Sequence, residues 1–207
     1  MSTIIVLAGG DSPRPLPDLP SPDAVIAADS GLALAAPLGL IPDLVIGDMD
    51  SVPLELLADA EAAGATVERY PQDKDATDLE LALDAARVEG ATSIIVVGGG
   101  GGRLDHLLAN AALIGATRYP PIEWYVDDYR ISVVTRTHDI VGTAGDLVTL
   151  LALGGPATVT AQGLRWALED EGLMPGSTRG VSNELVDETA TVRVAAGRIA
   201  VMHRRTR

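Results

Sequence analysis

Short apolar runs recur through the first hundred residues, and each hands over to a helix-period segment or a polar loop. A run that is apolar along its whole length, rather than at alternate positions, is a strand covered on both faces. Strands of this kind alternating with helices leave one economical architecture, a parallel sheet with helices on either side. Thr3–Ala8 (TIIVLA), Ala24–Ala28 (AVIAA) and residues 44–46, 66–70 and 93–97 read as the strands. A short Ala/Leu helix is expected after Gly31, a second from Pro53 to about residue 63, a third over 77–89 and a fourth over Leu104–Ile114. Pro53 suits a first helical turn, where no N–H is needed. Trp124, in the apolar run Ile122–Val126, reads as core.

The pattern changes after Tyr119-Pro120-Pro121. From about Ile131 to Met202 the runs are short, β-rich and separated by glycine: ISVVTRT, DLVTLLAL, ATVTAQGL, ATVRVAA and RIAVMHR. No long helical period appears, which indicates a small antiparallel sandwich or barrel. The expected fold class is therefore α/β: an N-terminal parallel-sheet α/β domain over residues 1–128 and a C-terminal antiparallel β-sandwich over 129–207. The basic segment 203–207 reads as a frayed tail.

Charge and composition narrow the function. The formal net charge is −14, which disfavours unassisted binding to nucleic acid because phosphate neutralisation needs a basic surface. An anionic substrate would need a metal ion or a local arginine. The absence of cysteine excludes disulfide, zinc-finger and iron–sulfur scaffolds and a thiol nucleophile, and fits a reducing compartment. The longest apolar run, 147–153, falls far short of the ~20 residues of a membrane-spanning helix, and no basic leader precedes an apolar run. A cytoplasmic protein without a membrane partner is expected.

In an open parallel sheet, ligands bind beyond the carboxyl ends of the strands. Here those ends carry the conspicuous polar motifs: Asp29, then Asp48 and Asp50, then Asp73, Asp75 and Asp78, then five glycines (98–102) with Arg103 and Asp105. If the chain stays extended past residue 47, Asp48 and Asp50 share a face and reach one cation. An all-oxygen donor set suits Mg2+, which takes few carboxylates alongside substrate phosphate. A helix-capping turn is the competing reading of this pair. Thr77-Asp78-Leu79-Glu80 has the form of a capping box, with Leu79, Ala82, Leu83 and Ala86 as the buried face that follows. Lys74 either meets a phosphate or balances its acidic neighbours.

Gly98 to Gly102 would let backbone N–H groups approach phosphates closely, with Arg103 adding a bidentate cation. No G-K-[ST] ends the run, and Arg103 stands where a last dinucleotide-fold glycine belongs, so neither a Walker loop nor a dinucleotide fingerprint is present. Asp105 reads as a metal ligand or a hydroxyl-orienting group. His106 either assists or bonds to its neighbours, and Asn110, one turn later, fixes the loop. Trp166, between a glycine-marked turn and a polar loop, is either a stacking platform for a flat ring or a core residue.

Taken together, ADSG (28–31), PDLVIGDMDS (42–51), DKDATDLE (73–80), GGGGGRLDHLLAN (98–110), GLRWAL (163–168) and SNE (182–184) resemble the thiamine pyrophosphokinase family in order and spacing, over nearly the whole chain. The resemblance implies an α/β catalytic domain, a β-sandwich domain, and a homodimer with sites at the subunit interface. It implies transfer of a diphosphoryl group from ATP to the hydroxyl of thiamine, with Mg2+, giving thiamine diphosphate and AMP. By resemblance Asp48, Asp50 and Asp78 hold the metal, and Asp50, Asp78, Arg103 and Asp105 are the catalytic set. Asp29, Lys74, Asp75, Thr77, Gly99, Gly102, Arg103 and His106 surround ATP and its phosphates. Trp166, Ser182 and Asn183 form the thiamine end, offered by the partner subunit. One departure stands at Asp128-Tyr129-Arg130, where the family often has Asn in the third place. The alternatives are a diphosphokinase for a pterin alcohol, a non-catalytic nucleotide or thiamine diphosphate sensor, and a metal-dependent nuclease.

Overall fold

The computed structural model describes residues 2–204. The first half of the chain builds six strands and three helices in order: β1 (Thr3–Ala8), β2 (Ala24–Ala28), β3 (Leu44–Gly47), α1 (Leu54–Ala62), β4 (Thr66–Arg69), α2 (Asp78–Val88), β5 (Ser93–Gly98), α3 (Leu104–Ile114) and β6 (Ile122–Val126). The second half is all strand: β7 (Tyr129–Val134), β8 (Thr137–Val141), β9 (Leu147–Leu151), β10 (Ala157–Gln162), β11 (Leu168–Leu173), β12 (Asn183–Glu184), β13 (Thr189–Ala196) and β14 (Ile199–Arg204).

The six early strands run parallel in the order β4-β3-β2-β1-β5-β6. Their side chains feed two cores, as expected for a sheet covered on both faces. On one face Ile4, Val6, Ile94 and Val96 meet Leu79, Ala82, Leu83 and Ala86 of α2 and Ile114 of α3. On the other, Ile5, Leu7, Val45 and Val97 meet Leu57 and Ala60 of α1 and the segment after β2. That segment forms two 3-10 turns, 29–34 and 36–38, and not the short α-helix its Ala/Leu content suggests. A Cβ on Gly31 would lie 2.1 Å from the carbonyl oxygen of Leu7, and Pro37 removes a donor, so an i→i−4 ladder cannot run through.

The sheet does not stop at β6. β7 pairs antiparallel with it, Trp124 opposite Ile131, and β14, β9 and β12 follow, making a sheet of ten strands. Four further strands, β11-β10-β13-β8, form a second sheet. A third core, with Val148, Leu150, Val159, Val192 and Val201, lies between this sheet and the far end of the first. The antiparallel half is thus a sandwich, one wall of which continues the α/β sheet. At the junction the Arg198 guanidinium donates to the carbonyl oxygen of Ala116 at 2.8 Å, just past the end of α3.

Three local expectations differ from the structure. The run ISVVTRT does not form one strand: it divides at Thr135-Arg136, and its halves enter different sheets. β11 carries Glu169, Asp170 and Glu171 on an edge, a charged border that hides the apolar alternation by which strands are recognised. His203 and Arg204 are ladder residues of β14, opposite Arg130 and Tyr129, and not the start of a frayed tail. Residues 205–207 lie outside the described part. Among the described residues no helix is long and apolar enough to cross a membrane.

Candidate active site

Asp29 is the first residue after β2, Asp48 follows β3, and Asp78 opens α2. Each of these carboxylates offers one oxygen, and the oxygens lie within 4.8 Å of one another. Gly47 makes this approach possible: a Cβ there would sit 3.0 Å from both Asp29 Cβ and Asp78 Oδ1. Asp78 is held in place by a helix start that the sequence anticipated, Thr77 Oγ1 accepting from the Glu80 N–H at 3.3 Å. Glu80 does not complete a reciprocal capping box; its carboxylate pairs with Arg118.

Asp48 and Asp50 do not share an extended face. Met49 adopts a left-handed φ of 62°, which turns the chain between them. The Asp50 N–H closes back on Asp48 Oδ1 at 3.2 Å. The Asp50 carboxylate then accepts from Gln72 Nε2 and Ser51 Oγ, both at 2.8 Å, at the exposed mouth of the cavity. The third carboxylate of the close group is Asp29, which the sequence had placed among the phosphate contacts, and Asp50 stands outside it.

Lys74 reaches across this group. Its Nζ lies 3.1 Å from Asp48 Oδ2 and 3.0 Å from Asp78 Oδ1. Asp78 Oδ1 is satisfied by that ammonium, whereas Asp29 Oδ1 is buried with no hydrogen-bond partner. Burial pushes the Asp29 carboxyl above the ordinary range, and the charges of Asp78, Asp48 and Asp50 add to this against the bond from the Ser30 N–H. Partial desolvation pulls Asp48 upward too, but the Asp50 N–H and the Lys74 ammonium outweigh it and hold Asp48 low. The same pairing raises Lys74 against the burial that would lower it. An orphaned buried oxygen on Asp29, within 4.8 Å of oxygens of Asp48 and Asp78, is what a hard divalent cation satisfies.

Across the cavity stand the glycines. Its volume is about 570 Å³, and its walls include Asp29, Asp48, Asp50, Lys74, Thr77 and Asp78 on one side and Gly99, Arg103 and His106 on the other. Arg103 and Asp105 face each other at the start of α3, Nη2 to Oδ2 at 2.5 Å, and the guanidinium holds the Asp105 carboxyl down at about 2. Asp75, Gly102 and Asp105 are not among the cavity's lining residues. The sequence did not single out Gln72, or Gly9 and Gly10 after β1, all of which line it. A side-chain amide and two glycines carry no motif of their own.

Trp166, Ser182 and Asn183 gather elsewhere, around a second cavity of about 370 Å³ that shares no lining residue with the first. Trp166 is 47% exposed, so it is not a core residue. Its backbone is gripped by the buried Asn183 amide, which accepts from the Trp166 N–H at 3.0 Å and donates to its carbonyl oxygen at 2.7 Å. Asn183 therefore serves to present Trp166. One face of the indole carries the Arg165 guanidinium at 5.0 Å from the ring centroid, with Arg165 anchored in turn on Glu184 at 2.9 Å. Arg130, at the departure from the family pattern, pairs with Glu123 at 2.6 Å on the sheet and lines neither cavity.

Comparison with known proteins agrees with this geometry. Residues 19–126 match the family model "Thiamin pyrophosphokinase, catalytic domain", and 129–199 match "Thiamin pyrophosphokinase, vitamin B1 binding domain". The chain is 29% identical to thiamine pyrophosphokinase of Bacillus subtilis, with both chains fully covered. It is 31% identical to thiamine pyrophosphokinase 1 of Arabidopsis thaliana over 73% of this chain and 61% of that one. The crystal structure of the Bacillus subtilis enzyme superposes with a TM-score of 0.81 at 26% identity over the whole of both chains. That of thiamin pyrophosphokinase from Geobacillus thermodenitrificans gives 0.74 at 29% identity, covering 99% of this chain and 98% of that one. With both halves matched in order and the carboxylate rim built at the expected strand ends, the chain belongs to the thiamine pyrophosphokinase family.

Proposed function

We propose that this protein transfers the β,γ-diphosphoryl group of ATP to the hydroxyl of thiamine, releasing AMP and thiamine diphosphate, in the cytoplasm and as a homodimer. The observation that carries the reading is the gathering of Asp29, Asp48 and Asp78 with the glycine loop and Arg103 around one cavity. Mg2+ fits the three carboxylates and would offset phosphate charge when bound. The labour divides at residue 128, with 1–128 handling ATP and metal and 129–207 presenting thiamine.

In the reaction the thiamine hydroxyl oxygen forms a bond to the β-phosphorus as the bond from that phosphorus to the α-phosphate oxygen breaks. Such transfers depend on positioning and charge more than on covalent help. Arg103 and Lys74 steady the phosphate oxygens, and the glycine N–H groups cradle them. Asp105, held near 2 by Arg103, is a weak proton acceptor, so the hydroxyl proton passes to Asp50 at the cavity mouth or to water.

The separation of the two cavities supports a homodimer. Trp166 does not line the carboxylate cavity of its own chain, so in this reading a second copy supplies it. Exposed Leu147, Val181 and Val186 supply apolar surface on the same part of the chain for such a contact. The free face of the Trp166 indole then suits the cationic thiazolium ring.

Nucleotide analysis of protein, Mg2+ and ATP, with and without thiamine, tests this. AMP appearing only with thiamine, matched by thiamine diphosphate, is the expected result. ADP would mean monophosphoryl transfer. Thiamine binding without turnover would mean a sensor, and turnover with a pterin alcohol instead would move the substrate.

A further inference from the structure

A loop of consecutive glycines can flip its peptide planes at little cost, because no Cβ resists. Gly98, Gly99, Gly101 and Gly102 all adopt positive φ, between 65° and 93°. A phosphate cradle, however, needs one orientation only, since a carbonyl turned into the cavity would repel the anion it is meant to hold. Something outside the loop must therefore set its polarity.

Three consecutive carbonyl oxygens of the loop are tied down from three directions. Trp124 Nε1 donates to the Gly98 oxygen at 2.7 Å. Asn110 Nδ2 donates to the Gly99 oxygen at 3.0 Å. The Asp11 backbone N–H donates to the Gly100 oxygen at 3.0 Å. Trp124 on β6 is 1% exposed, so the first clamp is an interior one, while Asn110 on α3, 7% exposed, stands in the cavity wall. In a planar trans peptide the C=O and the next N–H point in opposite directions. The plane that Trp124 holds by the Gly98 oxygen seats its N–H, that of Gly99, on the Gly9 oxygen at 2.9 Å, which anchors the root of the loop; the next plane, held by Asn110, turns the Gly100 N–H away from the Asn110 amide.

We propose that Trp124 is a positioning residue of the phosphate cradle, acting with Asn110 to orient the peptide planes of Gly98 to Gly100 through their carbonyl oxygens. The inference rests on reading residues 98–102 as that cradle. A buried indole needs some partner for its N–H, and a role confined to packing would accept any carbonyl. Here the bond does more than satisfy the indole: it governs nucleotide affinity.

Trp124→Phe keeps an aromatic ring and removes the donor. The expected result is a rise of about tenfold in the KM for ATP and in the Kd for α,β-methylene-ATP with Mg2+, which is what loss of one buried hydrogen bond can supply. The KM for thiamine stays put, and backbone amides 98–102 exchange hydrogen faster. Asn110→Ala, on a different element, shifts the same quantities and keeps the test alive if Trp124→Phe does not fold. Ile122→Val, in the same strand and core, is the control: it lowers Tm and leaves nucleotide affinity alone. A Trp124→Phe protein that loses Tm but binds the analogue as the wild type does overturns the proposal. If the analogue binds the wild type without protecting amides 98–102, the cradle reading falls, and this inference with it.

Discussion

Lys74 Nζ stands 3.0 Å from Asp78 Oδ1, and the same ammonium reaches Asp48 Oδ2 at 3.1 Å, so a single cation separates two members of the carboxylate group. Lys74 is the internal counter-ion of this rim. Lys74→Met leaves Asp29, Asp48 and Asp78 to repel one another, and should cost about 2 kcal/mol in the presence of chelator. Added Mg2+ should recover more Tm for the variant than for the wild type. Equal melting of the two proteins in chelator would refute the counter-ion role.

Asp29 shows the opposite balance. Its carboxylate is buried, lacks a partner at Oδ1, and sits at a φ of 45°. Asn tolerates that left-handed backbone and carries no charge. Asp29→Asn should raise Tm in chelator by about 2–4 °C, corresponding to roughly 1 kcal/mol. It should also lower turnover by about a hundredfold or more through loss of metal and phosphate positioning. A variant that is neither more stable nor less active would remove Asp29 from the site.

Trp166 and the carboxylates lie around separate cavities of one chain, which makes subunit complementation decisive. Asp48→Asn and Trp166→Ala homodimers should each be impaired, the second chiefly in its KM for thiamine. Unfolded and refolded together as equal amounts, they should regain about a quarter of wild-type activity, because half the dimers carry one intact composite site of two. No recovery in a mixture shown to contain heterodimers would mean that each chain works alone.

His138 provides a titration remote from the chemistry. Burial pushes its pKa below the ordinary 6.5, Arg130 and His203 push the same way, and Glu123 and Asp139 only partly oppose them. A histidine kept neutral by the fold contributes stability that is complete above the unfolded pKa and is lost as pH falls through about 6.5 towards the lowered folded value. Between about pH 7 and pH 5 the wild-type Tm should fall more steeply than that of His138→Gln. Parallel Tm–pH curves would show that another group sets the acid limb.

Much of this molecule was readable before its coordinates. Thr3–Ala8, Ala24–Ala28 and Leu104–Ile114 are bounded as the sequence suggested, because continuous apolar runs and helix period are local signals. The buried face of α2 was equally plain from Leu79, Ala82, Leu83 and Ala86. What escaped depended on backbone turns or on distant partners. The left-handed Met49 separates Asp50 from Asp48, and no pattern in GDMDS announces it. Asn183 and Arg165 act on Trp166 from 17 residues and one residue away, respectively, and only folding shows that one holds its backbone and the other its indole. Trp124 read correctly as core, yet its indole N–H and its Gly98 acceptor lie 26 positions apart.

The ladder between Trp124 and Ile131 continues a single ten-stranded sheet from the nucleotide half into the sandwich, and Arg198 bolts the same seam to the end of α3. Bending there would break backbone hydrogen bonds in a row, so the chain has no jaw to open and shut around its substrates. Adaptation to ligand must come from the loops that crown the strand ends or, in the proposed homodimer, from one rigid subunit sliding against the other. In that proposed homodimer the moving part is the neighbour.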